Sequence, residues 1–265
     1  MQPDWQQYLN LKHGKDYQWK NFAKGSSNTL YRGVCGHDNL VVRVNASAEL
    51  TPGVDRAREA SLLEIITGNT WSPNIIENQP ECGWCAMQCY VPFTEEVLSK
   101  QQKLQLIKAM TDLQLIDIEN LESPQALAIQ YETLWDTLYL PEAKRQNNFQ
   151  ALVWIAKIKR LLKTLPDVPF CFVHHDLHIG NLAVNITTSP ETLVLLDWEY
   201  GAIGNPWIDA AALKSLLGIL DEDIATLPAF NKLSKASFEK GLAQAIELYN
   251  TIGNIWHWLR AQNNT

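Results

Sequence analysis

The sequence predicts an α+β protein in two lobes: a small antiparallel-sheet lobe with one helix, then a larger, mainly helical lobe. Three observations lead there. Short β-branched runs separated by turn residues occupy the chain up to Val91. Beyond Pro92, apolar residues recur at helical spacing instead. A length of 265 residues accommodates two lobes, each with a core of its own. The division falls between segments 1–91 and 92–265, with a cleft expected between them.

Residues 17–23 alternate weakly and read as the first strand. Gly25-Ser26-Ser27-Asn28 is a small-residue turn, and residues 29–34 form a second strand. Gly36-His37-Asp38-Asn39 carries turn chemistry, and residues 40–44 are a β-branched third strand. A helix starts near residues 52–55, where Thr51 or Asp55 can cap it. It places Leu62, Leu63, Ile65 and Ile66 on a buried stripe and stops before Gly68. Residues 74–76 and 85–91 read as two further strands. Leu104, Ile107, Leu113 and Leu115 mark a helix, and Ser123-Pro124 opens another with Ser123 as cap. Residues 141–165 are expected as one long amphipathic helix carrying Phe149, Leu152, Ile155, Ile158 and Leu162. Short strands are expected at 170–173, 182–186 and 193–196. From Pro206 onward the pattern is mostly helical.

Composition is that of a globular protein, with 46% hydrophobic and 19% charged residues. The net charge of −7 argues against nucleic acid or an anionic membrane as the main partner. It is compatible with a cationic substrate. Met1-Gln2-Pro3-Asp4-Trp5 has neither the basic start nor the apolar core of a signal peptide. Nor is there a run of about eighteen apolar residues that would span a membrane. The odd set Cys35, Cys82, Cys85, Cys89 and Cys171 then suggests reduced thiols and a cytoplasmic location. Cys82, Cys85 and Cys89 have zinc-like spacing but no second pair, so they read as small buried thiols on a hairpin strand. Oligomeric state is not legible.

The densest chemistry lies in His174-His175-Asp176-Leu177-His178-Ile179-Gly180-Asn181, followed by Leu195-Leu196-Asp197. A loop between apolar strands presents polar groups into a cleft while its scaffold stays rigid. Asp176 is placed to accept a proton. Asp197 closes an apolar strand, where a carboxylate is costly unless a cation pairs with it; magnesium is such a cation, and Asn181 is a candidate second ligand. These are the groups that phosphoryl transfer from ATP requires. His174 reads as a backbone brace, and His175 and His178 as surface or hydrogen-bonding residues rather than metal ligands. Arg43 interrupts an apolar strand and needs a partner, for which Glu59 on the next helix is the candidate. The turn Gly25, Ser26, Ser27, Asn28 lets backbone N–H groups and hydroxyls approach phosphate oxygens.

Those residues resemble the protein-kinase-like small-molecule kinases: aminoglycoside phosphotransferases, choline kinases and bacterial thiamine kinases. The segment 174–181 matches their catalytic loop, H-x-D-x-H-x-G-N. Asp197-Trp198-Glu199-Tyr200 matches their metal-binding segment, and Asn205-Pro206-Trp207-Ile208-Asp209 the one whose aspartate braces the loop. The match is strong over residues 170–213 and weaker over 25–92. The three glycines of the protein-kinase phosphate loop are missing from 25–28.

The resemblance implies a bilobal protein-kinase-like fold with ATP and Mg2+ as cofactors. It makes Asp176 the catalytic base and Asn181 and Asp197 the metal ligands. Arg43 would contact the nucleotide phosphates while paired with Glu59, and the segment from Gln88 to Tyr90 would be the hinge that reads adenine. The acceptor would be a small cationic alcohol met by Trp198, Glu199 and Tyr200; Trp198 and Tyr200 join Trp207, Tyr249, Trp256 and Trp258 in concentrating aromatic surface in this half, most of which is expected to fill a core. Tyr131, Leu134-Trp135, Trp154 and the basic run from Lys157 to Lys163 resemble thiamine kinases in spacing, which puts thiamine first. Choline or ethanolamine comes second and an aminoglycoside third. A nucleotide-binding pseudokinase is the reading of a different class; retention of Arg43, Asp176, Asn181 and Asp197 argues against it.

Overall fold

A computed structural model describes residues 4–24, 28–47 and 51–263. Gly25, Ser26 and Ser27 lie outside the described residues. The chain begins with a helix that was not expected, α1 (Trp5–His13), capped by Asp4 and closed by Gly14 at φ 60°. Five strands follow around one helix: β1 (Gln18–Lys24), β2 (Asn28–Cys35), β3 (Asp38–Asn45), α2 (Arg56–Ile66), β4 (Ile75–Gln79) and β5 (Trp84–Gln88). They form an antiparallel sheet in the order β1-β2-β3-β5-β4. Trp19 faces Gly33 across β1 and β2, and a Cβ on Gly33 would lie 2.5 Å from the indole.

The two helices of this lobe serve different cores. Leu9 of α1 is fully buried with Tyr17, Leu40, Val42 and Trp84, a burial worth about 1.5–3 kcal/mol for such a side chain. Trp5 packs edge-on against Trp19 at 4.8 Å, and Lys12 and Tyr8 both reach Glu77. In α2, the Asp55 carboxylate accepts the Ala57 and Arg58 N–H groups at 3.0 Å each. Leu62, Leu63 and Ile66 join the large core of the helical lobe. Leu62 presses against Gly201, where an added Cβ would meet it at 2.3 Å. α2 therefore ties the first sheet to the rest of the molecule.

The expected strand 85–91 is two strands, because the chain leaves one sheet for another. β5 ends at Gln88, and β6 (Val91–Pro92) pairs with the later strand Leu182–Asn185 in a second sheet. The helical lobe continues through α3 (Lys100–Gln114), α4 (Pro124–Leu127), α5 (Tyr131–Leu134), a π-helical segment Trp135–Tyr139, α6 (Leu140–Arg145) and α7 (Phe149–Thr164). The single helix expected over 141–165 is thus α6 and α7. Asn147 adopts φ 50° and Asn148 caps α7 by accepting the Ala151 N–H, so two asparagines make the break. Next come β7 (Cys171–Val173), β8 (Leu182–Asn185), β9 (Thr192–Leu195), β10 (Ala202–Gly204), α8 (Trp207–Ser215), α9 (Asp221–Ala225) and α10 (Lys235–Asn263). β6-β8-β9 form one small sheet and β7-β10 another. Among the described residues, no helix is long and apolar enough to cross a membrane.

Gly241 lets α10 approach Trp207 of α8: a Cβ there would lie 2.4 Å from an indole that is fully buried against Phe230 and Phe238. Gly253, on the same helix, has nothing within 4 Å. Alanine gains about 1 kcal/mol of helix propensity at either site, while overpacking costs about 1–3 kcal/mol. Thermal denaturation followed by circular dichroism is expected to give a lower Tm for Gly241→Ala and a higher one for Gly253→Ala.

Candidate active site

The β8–β9 hairpin sets the first distances. Leu182 pairs with Leu195, and the ladder extends one step as the Leu196 N–H donates to the Asn181 carbonyl at 2.8 Å. Asn181 and Asp197 are thereby brought to the same end of one hairpin. A 3₁₀ turn, Ile179–Asn181, precedes β8 and is capped by His178 Nδ1, which accepts the Gly180 N–H at 3.1 Å. Asn181 then reaches back. Its Nδ2 donates to the Asp176 carbonyl at 2.9 Å and to Asp176 Oδ2 at 3.0 Å, turning the amide oxygen the other way. His178 Nε2 stands 3.7 Å from the same Oδ2. Burial pushes the Asp176 carboxyl up, but the His178 contact and charge, His174 and the Asn181 hydrogen bond outweigh it. The net effect holds the group below the ordinary aspartate range.

The loop backbone is braced from beneath. Asp209, buried on α8, accepts the His174 N–H at 2.8 Å and the His175 N–H at 2.9 Å. Burial raises its pKa to about 7, against the pull of those two donors. His174 is fully buried, and burial lowers its pKa to about 4, so the ring is neutral. Its partners assign the tautomer: Nε2–H donates to the Leu196 carbonyl at 2.9 Å, and Nδ1 accepts the Asp176 N–H at 3.3 Å. His175 takes the hydrogen-bonding role rather than the surface one. At φ 66° it turns inward to the Tyr131 hydroxyl at 2.7 Å. That hydroxyl also accepts the Asn205 N–H at 2.9 Å, so it ties the loop to the segment ahead of α8. Gly204 makes room, since a Cβ there would be 2.6 Å from the Tyr131 oxygen. The bracing role of Tyr131 escaped sequence reasoning, because only the fold brings residue 131 to residue 175.

Above the hairpin lies a buried charge network. Arg43 Nη1 donates to Glu59 Oε1 at 2.6 Å and to Asp197 Oδ1 at 3.1 Å. Arg56, not anticipated from sequence, donates to Glu59 Oε2 at 2.8 Å, Glu199 Oε2 at 3.0 Å and Asn28 Oδ1 at 3.2 Å. Asn28 completes the ring through Nδ2 to Glu199 Oε2 at 2.9 Å. Asn28 and Glu199, expected against phosphate and substrate, are here structural partners of each other. Two guanidinium ions face three carboxylates, Glu59, Asp197 and Glu199, which leaves one negative charge over. Burial first, then Glu199, raises the Asp197 pKa to about 7 despite Arg43, with Glu59 and Asp176 adding to the rise. Among the described residues there is no cluster of three or more His, Cys, Asp or Glu that could hold a metal. A carboxylate and an amide oxygen beside excess negative charge suit a hard cation that keeps water and phosphate as its other ligands.

The remaining expected residues scatter. Trp198 is core: it is 1% exposed, its Nε1–H donates to the Leu195 carbonyl at 2.9 Å, and its ring packs on His174 and Trp71. It has no face for a substrate. The Tyr200 hydroxyl accepts Trp256 Nε1–H at 3.1 Å. The Gln88 N–H is committed to the Asn74 carbonyl at 3.0 Å and its side chain to Asn185 at 3.3 Å. Tyr90 accepts the Asn74 N–H at 2.7 Å and packs on Ala183 and Val194. Cys82, Cys85 and Cys89 are free thiols; Cys85 is buried opposite Arg43, and burial raises its pKa to about 11. The basic run of α7 is largely paired, Lys157 with Glu247, Lys159 with Asp136 and Lys163 with Glu132.

A family model described as the phosphotransferase enzyme family matches residues 18–233. The chain belongs to this phosphotransferase family. The phosphotransferase also shares its fold with solved structures at low identity. Choline kinase LicA from Streptococcus pneumoniae has a TM-score of 0.65 at 17% identity, covering 98% of this chain and 92% of that one. An ethanolamine kinase from Plasmodium vivax has a TM-score of 0.59 at 16% identity, covering 95% and 78%. Spectinomycin phosphotransferase APH(9)-Ia, solved with ADP and spectinomycin, has 0.60 at 14%, covering 96% and 85%. No curated protein matches the sequence. The bilobal kinase-like fold expected from the motifs is thus the fold of this phosphotransferase.

Arg56 yields a stability prediction. Removing one partner of a buried ion pair costs about 3–5 kcal/mol, because the other charge stays buried without compensation. Urea denaturation is expected to register that loss for Arg56→Met. The double variant Arg56→Met/Glu199→Gln should recover part of it.

Proposed function

We propose that this phosphotransferase moves the γ-phosphoryl group of ATP, with magnesium, to the hydroxyl of a small cationic alcohol. The nucleotide would lie between segments 1–91 and 92–265. One observation carries the reading: Asp176, Asn181 and Asp197 gather at one end of the β8–β9 hairpin, with Arg43 against Asp197. Asp176 is the catalytic base. Its low pKa keeps it ionised, and Asn181 orients the carboxylate that takes the acceptor's proton. Asn181 and Asp197 would hold the metal, which when bound neutralises the phosphate oxygens. Arg43 stays paired with Glu59 and offers the rest of its planar guanidinium to phosphate. Gly25, Ser26 and Ser27, outside the described residues, would approach the phosphates, and the backbone between Gln88 and Tyr90 would meet the adenine edge. APH(9)-Ia, solved with ADP, is one fold neighbour that supports a nucleotide here.

Thiamine is the first candidate acceptor, on the resemblance of residues 131–163. Choline and ethanolamine are second, favoured by the kinases for those alcohols among the fold neighbours. A coupled ADP-release assay against thiamine, choline, ethanolamine and an aminoglycoside would choose among them. Turnover of none of these would remove the substrate class.

Two variant sets test the chemistry. Asp176→Ala should lower turnover by about 10²–10⁴-fold, the usual worth of a general base, while ATP with magnesium still raises the Tm. Wild-type turnover in that variant would remove the base assignment. Asn181→Ala and Asp197→Ala should each lose the magnesium-dependent part of the thermal shift. If that part persisted in Asp197→Ala, the metal ligands would lie elsewhere.

A further inference from the structure

We propose that Tyr131 is a positioning residue for phosphoryl transfer: its hydroxyl holds His175 and, through that residue, sets the direction in which the Asp176 carboxylate points. This rests on the reading of Asp176 as the base.

The loop backbone is pinned unevenly. Asp209 takes the N–H groups of His174 and His175, which fixes the peptide planes that precede those two residues. The next plane, between His175 and Asp176, decides where the base points. Its N–H makes a long contact, 3.3 Å to His174 Nδ1. His175, just ahead of it, sits at φ 66°, a conformation that residues with a Cβ keep only where their surroundings impose it. The Tyr131 hydroxyl meets the ring of that residue, hydrogen-bonded to Nε2 at 2.7 Å. Burial, then the charges of Arg58 and His174, lower the His175 pKa to about 3, and burial pushes the Tyr131 hydroxyl above the ordinary tyrosine range. The contact therefore joins two neutral groups near neutral pH.

The same hydroxyl closes a circuit. It accepts the Asn205 N–H at 2.9 Å, and Asn205 Oδ1 accepts the Trp207 N–H at 3.1 Å where α8 starts. Asp209, two residues further along α8, is the group that holds the loop. One oxygen thus touches the loop directly and also touches the segment that leads to the loop's other brace. Gly204 keeps the space open for both partners: a Cβ there would lie 2.6 Å from the Tyr131 oxygen and 2.9 Å from the His175 ring. Tyr131 is itself anchored, because the Ile129 N–H donates to the Ile203 carbonyl at 2.9 Å and ties the start of α5 to β10. A proton acceptor displaced by about an ångström loses up to about a hundredfold in rate. Removing the hydroxyl should therefore act on turnover more than on nucleotide binding.

The test is a double-mutant cycle on kcat. Tyr131→Phe keeps the ring, with its edge-on contact to Phe170 at 6.5 Å, and removes the oxygen. His175→Asn removes the imidazole and leaves a residue that tolerates left-handed backbone. Each is assayed below its own melting transition, with the alcohol that the ADP-release panel identifies. In either variant kcat is expected to fall about ten- to hundredfold while the KM for ATP stays within about twofold. The double variant should lie within about twofold of the worse single one, because both changes break the same link. A tyrosine that only stabilises the fold would lower the Tm and leave the kcat of the folded enzyme unchanged. The proposal is overturned if Tyr131→Phe keeps wild-type kcat where Asp176→Ala has lost it. It is overturned as well if the two losses multiply in the double variant, since Tyr131 would then act by another route. Should Tyr131→Phe fail to fold, His175→Asn decides: wild-type kcat there overturns the proposal, and a fall of about tenfold or more at unchanged KM for ATP upholds it. Wild-type turnover in Asp176→Ala, or none in the wild type with any alcohol of the panel, removes the reading of the base or of the substrate, and this proposal with it.

Discussion

The buried ring of Arg43, Glu59, Arg56, Glu199 and Asn28, with Asp197 at its open end, is the interaction on which the rest of the site depends. It gathers β2, β3, α2 and the segment after β9, so four separate stretches of chain must be in register for any charge in it to be compensated. Buried ions are poor sources of net stability, because desolvation cancels much of the Coulombic gain. What such a network supplies is intolerance of alternatives: a shift of α2 against the hairpin strands a carboxylate in a medium that cannot solvate it. The surplus negative charge at Asp197 carries the same logic outward. Under the proposed function, a bound cation would complete those electrostatics from outside.

A second constraint holds the loop below. His174 and His175 would leave two backbone N–H groups buried and unpaired, and Asp209 takes both. The neutral His174 ring then links the Asp176 N–H to the Leu196 carbonyl, joining the start of the loop to the strand that leads into Asp197. Asp176 and Asp197 are thus positioned by one imidazole as well as by Asn181. Positive φ at His175 and at Asp197 marks the two places where the chain departs from strand geometry to do this. Residues held so are over-determined by their surroundings, which suits a site that must not move when a charged ligand arrives.

How much of this was legible in the sequence depends on the range of the contact. The hairpin strands, the α2 cap at Asp55 and the order Asp176, Asn181, Asp197 are local patterns, readable from spacing. Arg43 with Glu59 was readable because a cation in an apolar strand has few candidate partners. Arg56 was not, although it lies three residues before Glu59: an arginine near the start of a helix looks like any solvated residue until the fold brings Glu199 over it. α1 was missed because the chain's first residues were read only for a targeting segment, and its single buried leucine gives a weak periodic signal. The break between α6 and α7 was written in Asn147-Asn148, whose tolerance of left-handed backbone and capping oxygen were outweighed by the apolar stripe on either side. β10 has three residues, too few for any period to register.

The four residues from Asp197 explain why motif and specificity come apart. Asp197 closes β9 in a left-handed conformation, so the following side chains no longer alternate between two faces. Trp198 drops into the core against His174, Glu199 turns to Arg56 and Asn28, and Tyr200 meets Trp256 of α10. Three of the four are thus committed to building the site: Asp197 in the charge ring, Trp198 beneath the loop and Glu199 on α2. Tyr200 turns instead to the last helix. Kinases named for choline, ethanolamine and spectinomycin share this fold at low identity, so the shared scaffold does not select the acceptor. Where this segment is met by α10, the contact is Tyr200 with Trp256. The motif that first reveals the chemistry therefore describes the scaffold more than the acceptor.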